Sequence, residues 1–480
     1  MELVLIILLP LLFAVLALGL CRHGQWPLRL LQLGAVCHLL LVCYVTLPGR
    51  APDLVSFHGI DLFGLDHVSR LLLTLTSLLF ACVAAHSARW YPADRLLGMK
   101  RGHGHSLRPG LFVACMLSFL SMMSMVLVAR NLGVLWIAVE ATTLASAPLI
   151  IFHQGPRSLE AMWKYLLICS VGIGLALFGT LLLASAFTGA HELSPGLNLS
   201  ALMAARHELN STWFKAAFIF ILAGYGTKMG LAPFHTWLPD AHSEAPATVS
   251  ALLSAALLNC SFLGIFRFVQ IAPPELTGFC RTLLIALGLC SLVVAAFFII
   301  RQRDYKRMLA FSSVEHMGLA TIILGLGMNN VAYVHLCGHS LTKMMLFLVA
   351  GNIYLTYDTR VVHDIKGMFG AIPRTATLWV IGVLLICGTP PSPLFITELL
   401  LVTQAPLWLG ATVLTLLFVV FCGMASICLD MVMGPRPETP PDSEAVKAAE
   451  SLCSIPALAV VTVLAMGTAL IFFIESSQWV

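Results

Sequence analysis

The stretch KMGLAPFHTWLPDAHSEAPATVSALLSA, from Lys228 to Ala255, decides the fold. It follows an apolar segment and places Lys228 shortly before Gly230 and Pro233. Glycine and proline weaken a helix, and in hydrocarbon the backbone groups that they free need other partners or water. The stretch therefore predicts a discontinuous helix with a basic side chain at its break. The polar residues after the break are typical of an amphipathic continuation.

The rest of the chain is strongly apolar. Of its 480 residues, 59% are hydrophobic and 10% are charged, whereas soluble domains carry about 25% charged residues. This composition excludes a soluble enzyme and a disordered chain. The near balance of 27 basic and 23 acidic residues excludes a nucleic-acid-binding protein. The apolar runs are continuous rather than alternating, which favours helices over a barrel. We expect an all-α polytopic membrane protein with about fourteen transmembrane helices.

A second break lies in GTPPSPLFITELL, which starts at Gly388 and contains Pro390 and Pro391. Glu398 follows within about two helical turns. Breaks at corresponding places in two halves of a membrane protein indicate inverted repeats and a site near the membrane midplane. The correspondence is loose, because Lys228 precedes its break and Glu398 follows its own. From the residues alone, the repeat stays a hypothesis.

Positively charged residues are concentrated in alternate loops. Most of the 27 Lys and Arg residues fall in the odd-numbered loops between the predicted spans. Cytoplasmic loops carry an excess of such residues. We therefore expect an inner (cytoplasmic) membrane protein with both termini on the non-cytoplasmic side. Because the chain becomes apolar directly after Met1-Glu2 and shows no cleavage site, we expect an uncleaved first span rather than a signal peptide.

Ionisable residues inside spans are costly and usually functional. Glu140 lies near the middle of the fifth predicted span, and Lys228 lies at the end of the seventh. A Glu140–Lys228 pair would let small movements switch the lysine between charged and neutral forms. The alternatives are a carboxylic acid bonded to a nearby backbone group and a purely structural ion pair.

A stripe of titratable residues runs along the eleventh predicted span. His335, His339 and Lys343 are spaced i, i+4 and i+8, so they share one helix face. Such a stripe is typical of a proton relay, and Glu315 and His316 of the tenth span extend it. One alternative is that the histidines are hydrogen-bonded core residues, and another is that Glu315 or His316 only stabilises a bend in its helix. A zinc site is a third alternative, but no further ligand lies at a suitable spacing.

The polar connection after the first break carries His235, Asp240, His242 and Glu244. A purely structural interpretation of this connection is an interfacial amphipathic segment anchored by Trp237. Four titratable groups within ten residues also fit a role in gathering protons at a membrane face. The 14 Cys residues show no CxxC pair, so we expect buried thiols and neither a metal site nor a cofactor on this chain.

The quoted stretch closely resembles the antiporter-like subunits of respiratory complex I, Mrp cation/proton antiporters and membrane-bound hydrogenases. The resemblance continues through RDYKRMLAFSSVEHMG, HLCGHSLTKMMLFLVAG and GTPPSPLFITELL, and covers about residues 110–430. It implies two inverted five-helix repeats with discontinuous helices 7 and 12 and a hydrophilic axis for protons. The implied divisions are 1–108 (helices 1–3), 109–271 (first repeat, helices 4–8), 272–430 (second repeat, helices 9–13) and 431–480 (loop and helix 14).

The resemblance also implies residue roles. Glu140 and Lys228 match the coupling pair of the family, and Lys343, His339 and Glu398 match positions of its axis. Many relatives carry a lysine where this chain has Asn259. That asparagine, with the motif HSEAPATVSALLSA, makes the chain most like the F-type subunit of hydrogenase-4 and formate hydrogenlyase-like complexes. Nothing resembles the lateral helix of the largest complex I subunit, which disfavours that subunit.

The resemblance implies a non-catalytic, proton-translocating subunit of a redox-driven complex of the group-4 [NiFe] hydrogenase type. The relay would comprise Glu140, Lys228, His316, His335, His339, Lys343 and Glu398, supported by Glu315, His235, Asp240, His242 and Asn259. The [NiFe] centre and iron-sulfur clusters are expected on partner subunits. The expected partners are other membrane-arm subunits, a peripheral hydrogenase or oxidoreductase arm, and lipid. No nucleic acid is expected to bind. The alternatives are an Mrp-like cation/proton antiporter, a complex I subunit and a scaffold with a vestigial path.

Overall fold

The structure is a computed structural model and describes residues 1–20, 26–47, 49–50, 54–102, 106–187, 196–434 and 441–476. Arg22 and Arg436, two of the loop residues that support the predicted orientation, lie outside these ranges. The α-helices of the described residues, numbered in chain order, are α1 Glu2–Leu20, α2 Trp26–Thr46, α3 His67–Lys100, α4 Pro109–Val128, α5 Leu132–Ile150, α6 Pro156–Ser185, α7 Leu199–Ala204, α8 Ser211–Met229, α9 Trp237–Glu244, α10 Ala247–Leu252, α11 Leu258–Ile271, α12 Thr277–Ile299, α13 Tyr305–Gly325, α14 Asn329–Tyr357, α15 Met368–Ala371, α16 Pro373–Ile386, α17 Pro393–Gln404, α18 Leu407–Val432, α19 Ser443–Ser451 and α20 Ser454–Ser476.

The predicted all-α membrane fold is confirmed. Within the described ranges, 12 helices are long and apolar enough to cross a membrane, and the shorter apolar helices α16 and α17 are the two halves of the predicted twelfth span. Helix α8, the predicted seventh span, is not among the 12, since Lys215 and Lys228 lower its hydropathy. A π-helical segment, Leu253–Leu257, lies between α10 and α11, and a small hairpin pairs β1 (Val55–Phe57) with β2 (Ile60–Phe63).

The first predicted break is present. Helix α8 ends where Gly230 takes a left-handed conformation (φ 78°) and its N–H caps the last turn. Pro233 has no N–H to continue the helix, and α9 begins at Trp237. The Trp237 indole N–H donates to the Thr227 carbonyl oxygen at 2.8 Å. Trp237 is fully buried, so the interfacial-anchor interpretation of this tryptophan is wrong.

The second predicted break separates α16 from α17. Gly388 is left-handed (φ 67°), and Pro390 cannot donate to the carbonyl of Ile386, four residues earlier. Ser392 starts the next helix, because its hydroxyl oxygen accepts from the Leu394 N–H at 3.2 Å. Its hydroxyl also donates to the Leu385 carbonyl oxygen at 3.0 Å. The serine therefore closes one helix and opens the other.

The chain clusters into two compact units. The first consists of Met1–Ala84, His105–Trp237 and Ala256–Leu283, and within it α6 packs against α8, and α1 and α5 pack against α4. The second consists of Ala85–Gly104, Leu238–Ala255 and Leu284–Val480, and within it α14 packs against α10, α13, α16, α17 and α20. The repeat boundaries given above stay predictions.

A helix occupies part of the predicted loop before helix 14. Helix α19 starts after Asp442, whose carboxylate accepts from the Glu444 N–H at 3.0 Å. Near its other end, Glu450 accepts from the N–H groups of Arg374 and Thr375 at 3.1 and 3.0 Å. A carboxylate at a helix N-terminus satisfies free N–H groups and complements the helix dipole. Two acidic residues of the predicted loop, Asp442 and Glu450, therefore cap the N-termini of two helices.

Two buried polar clusters stabilise the first unit and were not predicted. The ring of His38 lies 2.8 Å from Ser77 Oγ and 3.1 Å from Ser124 Oγ, which joins α2, α3 and α4. Buried Arg267 forms a bidentate pair with Asp66, one of whose bonds measures 3.1 Å. Burial acts to raise the pKa of Asp66, but the Arg267 hydrogen bonds and charge, with Ser69, outweigh it and hold that pKa well below its usual range.

Candidate functional site

The first candidate site surrounds Lys228 in the last turn of α8. Lys228 is fully buried, and its Nζ donates to Thr143 Oγ1 of α5 at 2.7 Å and to the Tyr165 hydroxyl of α6 at 2.8 Å. Tyr165 also lies 2.7 Å from Ser146 Oγ, whose own hydrogen goes to the Thr142 carbonyl oxygen at 2.7 Å. Tyr165 therefore donates to Ser146 and turns an oxygen lone pair toward the lysine.

Neutral hydroxyl oxygens thus hold the Lys228 ammonium group. Among the described residues, no carboxylate lies within 4.0 Å of Nζ. Hydrogen bonds to a charged donor are stronger than neutral ones. The chain Lys228–Tyr165–Ser146 runs in one direction and ends on backbone, so it can polarise along its length. The sequence predicted the lysine but neither of its hydroxyl partners.

Glu140 lies one helical turn before Thr143 on α5. Its Oε1 accepts from Ser170 Oγ of α6 at 2.7 Å, and its Oε2 is buried without a hydrogen-bond partner among the described residues. The carboxylate interacts electrostatically with Lys228 but makes no direct ion pair with it. The structure therefore brings the predicted pair into one site as charges coupled through space.

The second candidate site joins four helices through histidines. His316 of α13 donates Nε2–H to the Ile386 carbonyl oxygen at the end of α16, 3.0 Å away. Its Nδ1 lies 3.4 Å from His335 Nε2 of α14. His335 Nδ1 lies 2.9 Å from Thr397 Oγ1 of α17. All four residues belong to the second unit, and both histidines are buried.

His339 and His242 extend this set of buried rings. The His339 ring lies 5.4 Å from the His316 ring, and His339 interacts electrostatically with His242 of α9. His242 stacks on Phe347 with ring centroids 5.1 Å apart. Both rings are fully buried, and none of their nitrogens has a hydrogen-bond partner in the described part of the chain. His242 belongs to the connection that was predicted to gather protons at a membrane face, and its ring is buried within the second unit.

Lys343 and two glutamates complete the second site. Lys343 is fully buried and donates to the Leu309 carbonyl oxygen at 2.7 Å. It interacts electrostatically with Glu315, which interacts in turn with Glu398. Glu398 lies against Gly388 so closely that a Cβ there would overlap its Oε2. The glycine at the second break is therefore required by its backbone conformation and by the carboxylate.

The acidic residues of the polar connection are held in ion pairs. Glu244 accepts from Arg360 at 2.8 Å, and Asp240 pairs with Arg307 at 3.0 Å. Lys306 donates to the Ser243 carbonyl oxygen at 3.0 Å, at the end of α9. Cations are favourable at a helix C-terminus. These contacts fix α9, and the proton-gathering role of the connection stays a prediction.

The two remaining predicted residues lie in the first unit. His235 is buried in the segment between α8 and α9, at 8% exposure, and Asn259 is fully buried in the first turn of α11. The role of both residues in supporting a proton path stays a prediction.

Comparison with known proteins identifies the family. Residues 129–426 match the family model described as the membrane domain of NADH:quinone oxidoreductase and Mrp antiporters. The chain belongs to this antiporter-like family. The matched range contains both candidate sites and both breaks.

Individual relatives of this antiporter-like chain come from several kinds of complex. It is 35% identical over 352 residues to the hydrogenase-4 component F homolog of Methylacidiphilum infernorum, which covers 72% of each chain. It is 33% identical to the NADH-quinone oxidoreductase subunit N of Desulforudis audaxviator, over 58% of this chain and 56% of the relative. It is 27% identical to the hydrogenase-4 component B of Escherichia coli, over 75% and 56% respectively.

Solved structures share the fold over nearly the whole chain. A chain of the Mrp complex from Dietzia superposes with a TM-score of 0.84 at 19% identity, covering 98% of this chain and 95% of the other. A chain of the archaeal membrane-bound sulfane sulfur reductase gives 0.83 at 21% identity, with the same coverage. A chain of Thermus thermophilus complex I gives 0.80 at 24% identity, covering 97% and 95%. At these identities the likeness is one of fold.

Proposed function

We propose that this antiporter-like chain is a proton-translocating membrane-arm subunit of a redox-driven, energy-converting complex. One observation carries the proposal: Lys228 at the first helix break, and His316, His335, His339 and Lys343 near the second, are titratable side chains buried in membrane helices. Burying such groups is costly, and in membrane proteins they mark ion or proton paths. Family membership and the fold of multisubunit relatives support the same conclusion.

In the first site, protons are held on Lys228 and released under the influence of Glu140. The hydroxyl groups of Thr143 and Tyr165 stabilise the ammonium form, and the nearby Glu140 carboxylate adds an electrostatic interaction with it. In the second site, His316, His335 and His339 carry protons between Lys343 and Glu398. The order of transfer from Glu140 and Lys228 to Lys343 and Glu398 is part of this proposal.

The parent complex in this proposal is a group-4 [NiFe] hydrogenase of the hydrogenase-4 or formate hydrogenlyase type. The likeness to the hydrogenase-4 component F homolog supports it. Partner subunits would hold the [NiFe] centre and iron-sulfur clusters, and this chain would bind no cofactor and perform no redox chemistry. The chain would lie in the inner (cytoplasmic) membrane with both termini on the non-cytoplasmic side, as the distribution of basic residues predicts.

Purification of the tagged chain from native membranes in a gentle detergent tests the parent complex. Co-purifying proteins are identified, and nickel, iron, zinc and flavin are assayed together. Nickel and iron with a hydrogenase large subunit would support the hydrogenase. Iron and flavin without nickel would move the assignment to a complex I relative.

A second candidate is an Mrp-like cation/proton antiporter, favoured by the structural likeness to the Mrp complex chain. Proton flux in native membrane vesicles separates it from the redox pump. Flux that requires sodium and persists without an electron donor supports the antiporter. Flux that follows electron transfer and is lost in Lys228→Ala, with the complex still assembled, supports the redox pump. Loss of assembly alone in that variant would make the lysine structural.

A further inference from the structure

The second helix break offers one backbone acceptor to a histidine. In an unbroken helix, the N–H of residue 390 would donate to the Ile386 carbonyl oxygen. Pro390 has no N–H, so this buried oxygen accepts from His316 Nε2–H instead, at 3.0 Å. A carbonyl oxygen cannot donate. The Nε2 atom of His316 therefore keeps its hydrogen, and a proton can enter or leave this ring only at Nδ1.

The hydroxyl group of Thr397 ends the series of hydrogen bonds that begins at the Ile386 carbonyl oxygen. His316 Nδ1 faces His335 Nε2 at 3.4 Å, and His335 Nδ1 faces Thr397 Oγ1 at 2.9 Å. Thr397 Oγ1 also lies 2.9 Å from the Leu394 carbonyl oxygen, one turn earlier on α17. A hydroxyl has one hydrogen, so Thr397 donates either to the ring or to its own helix.

We propose that Thr397 is a positioning residue whose hydroxyl rotation follows the protonation of the His316–His335 pair, an inference that rests on the proposed function. When the hydroxyl donates to His335 Nδ1, both rings are neutral and every hydrogen points toward the Ile386 oxygen. When it donates to Leu394, its oxygen accepts from His335 Nδ1–H. The pair then holds one additional proton, shared across the ring-to-ring contact.

Proton arithmetic distinguishes the two states. The neutral state has three bonded hydrogens, on Thr397 Oγ1, His335 Nε2 and His316 Nε2. The charged state has four, because His335 Nδ1 gains one and the threonine hydrogen moves to a backbone oxygen. No bond is left unmade in the charged state, so a buried imidazolium is accommodated without a carboxylate. His339, which interacts electrostatically with both His316 and His335, supplies the extra proton as an imidazolium and receives it again on discharge.

The substitution that tests the inference is Thr397→Val, with Thr397→Ser as the rescue variant. Valine keeps the shape but leaves the charged His335 Nδ1–H without an acceptor, whereas serine restores the hydroxyl. Thr321→Val is a matched control, because Thr321 is buried and its hydroxyl bonds to the Met317 carbonyl oxygen at 2.7 Å. Each full-length variant is reconstituted in liposomes, a potassium diffusion potential is imposed with valinomycin, and proton entry is followed with pyranine.

Thr397→Val should lower the initial proton flux at least about tenfold, the effect of losing one hydrogen bond to a charged group. Thr397→Ser and Thr321→Val should retain wild-type flux within about twofold. When the chain is labelled with 15N-histidine and studied in bilayers by NMR, Thr397→Val should also shift the His335 Nδ1 resonance. That resonance is assigned by its absence in His335→Leu. Thr397→Ser should leave it in place.

The outcomes separate this inference from the proposed function. Wild-type flux in Thr397→Val, with flux lost in His335→Leu, would overturn the inference and leave the relay standing. Unchanged flux in both His335→Leu and His316→Leu would overturn the histidine relay and the inference with it. A wild-type chain that conducts no more than protein-free liposomes would do the same. An equal loss of proton flux in Thr397→Val and Thr397→Ser would show that Thr397 acts through packing and not through its hydroxyl, and would overturn the inference.

Discussion

Replacing Tyr165 by phenylalanine removes one hydroxyl from the first site and leaves the ring in place. The lost bond to Lys228 Nζ is 2.8 Å long and has a charged donor, and such bonds contribute about 1.5–3 kcal/mol. Ser146 keeps its bond to the Thr142 carbonyl oxygen, so the buried donor that loses an acceptor is the Lys228 ammonium group itself. The ammonium form of Lys228 therefore loses about 1.5–3 kcal/mol relative to the neutral amine, a change of about 10- to 150-fold in their ratio.

We expect coupled proton translocation by Tyr165→Phe to fall by at least about tenfold in native membrane vesicles, with the rate of electron transfer by the complex measured in the same preparation. Tyr225→Phe is the matched control, because Tyr225 is fully buried on α8 and its hydroxyl has no hydrogen-bond partner in the described ranges. Proton translocation near the wild-type level in both variants would refute the conclusion that Tyr165 stabilises a functional charge. A large fall in both would indicate damage to packing.

Three further substitutions test other parts of the structure. Asp66→Asn should lower the free energy of unfolding by about 3–5 kcal/mol, because buried Arg267 loses its charge partner; thermal unfolding in detergent measures it. Because the folded pKa of Asp66 is lowered, its stabilising effect is present above the unfolded pKa of about 3.9 and is lost as the pH falls below it, so wild type and variant should converge in strong acid. Gly388→Ala should cost about 1–3 kcal/mol through its left-handed backbone and its overlap with Glu398, as thermal unfolding will show. Glu140→Gln keeps an acceptor for its serine hydrogen bond but removes the charge, so proton flux should fall while the melting temperature stays near that of wild type.

Matched variants show what would contradict these expectations. Gly278→Ala adds a Cβ that has no heavy atom within 4 Å beyond its chain neighbours and the backbone of its own helix, so it should not lower stability. Glu160→Gln removes an exposed carboxylate on α6, paired with Lys164 at 2.7 Å, and should leave proton flux unchanged. A Gly388→Ala variant as stable as Gly278→Ala would be inconsistent with the described break. A Glu140→Gln flux equal to that of Glu160→Gln would remove the carboxylate from the relay.

The sequence predicts backbone breaks and buried charges well, because each has a local signal. Gly230, Pro233 and Pro390 interrupt apolar runs, and Lys228 and Lys343 are ionisable residues where few are tolerated. These signals need no knowledge of neighbouring helices. They predicted the two discontinuous helices and the ionisable residues that lie in each candidate site.

The sequence does not predict the hydroxyl partners, because serine, threonine and tyrosine are common in membrane helices and usually bond to their own backbone. Thr143, Tyr165 and Thr397 become recognisable only when a second helix places a charged or titratable atom within 3 Å of the hydroxyl. The Asp66–Arg267 pair joins residues 201 positions apart. No spacing rule reaches that far, so tertiary packing decides these contacts.

The two breaks differ in which side chain bonds the backbone, and this difference has a consequence for proton movement. At the first break, the Thr227 carbonyl oxygen accepts from the indole of Trp237, which does not titrate. At the second, the Ile386 carbonyl oxygen accepts from His316, which does. The second bond nevertheless survives protonation, because Nε2–H is present in both the neutral tautomer and the imidazolium. Both breaks can therefore stay bonded while protons pass, and charge can change at Nδ1 of His316 without releasing the helix end that positions it.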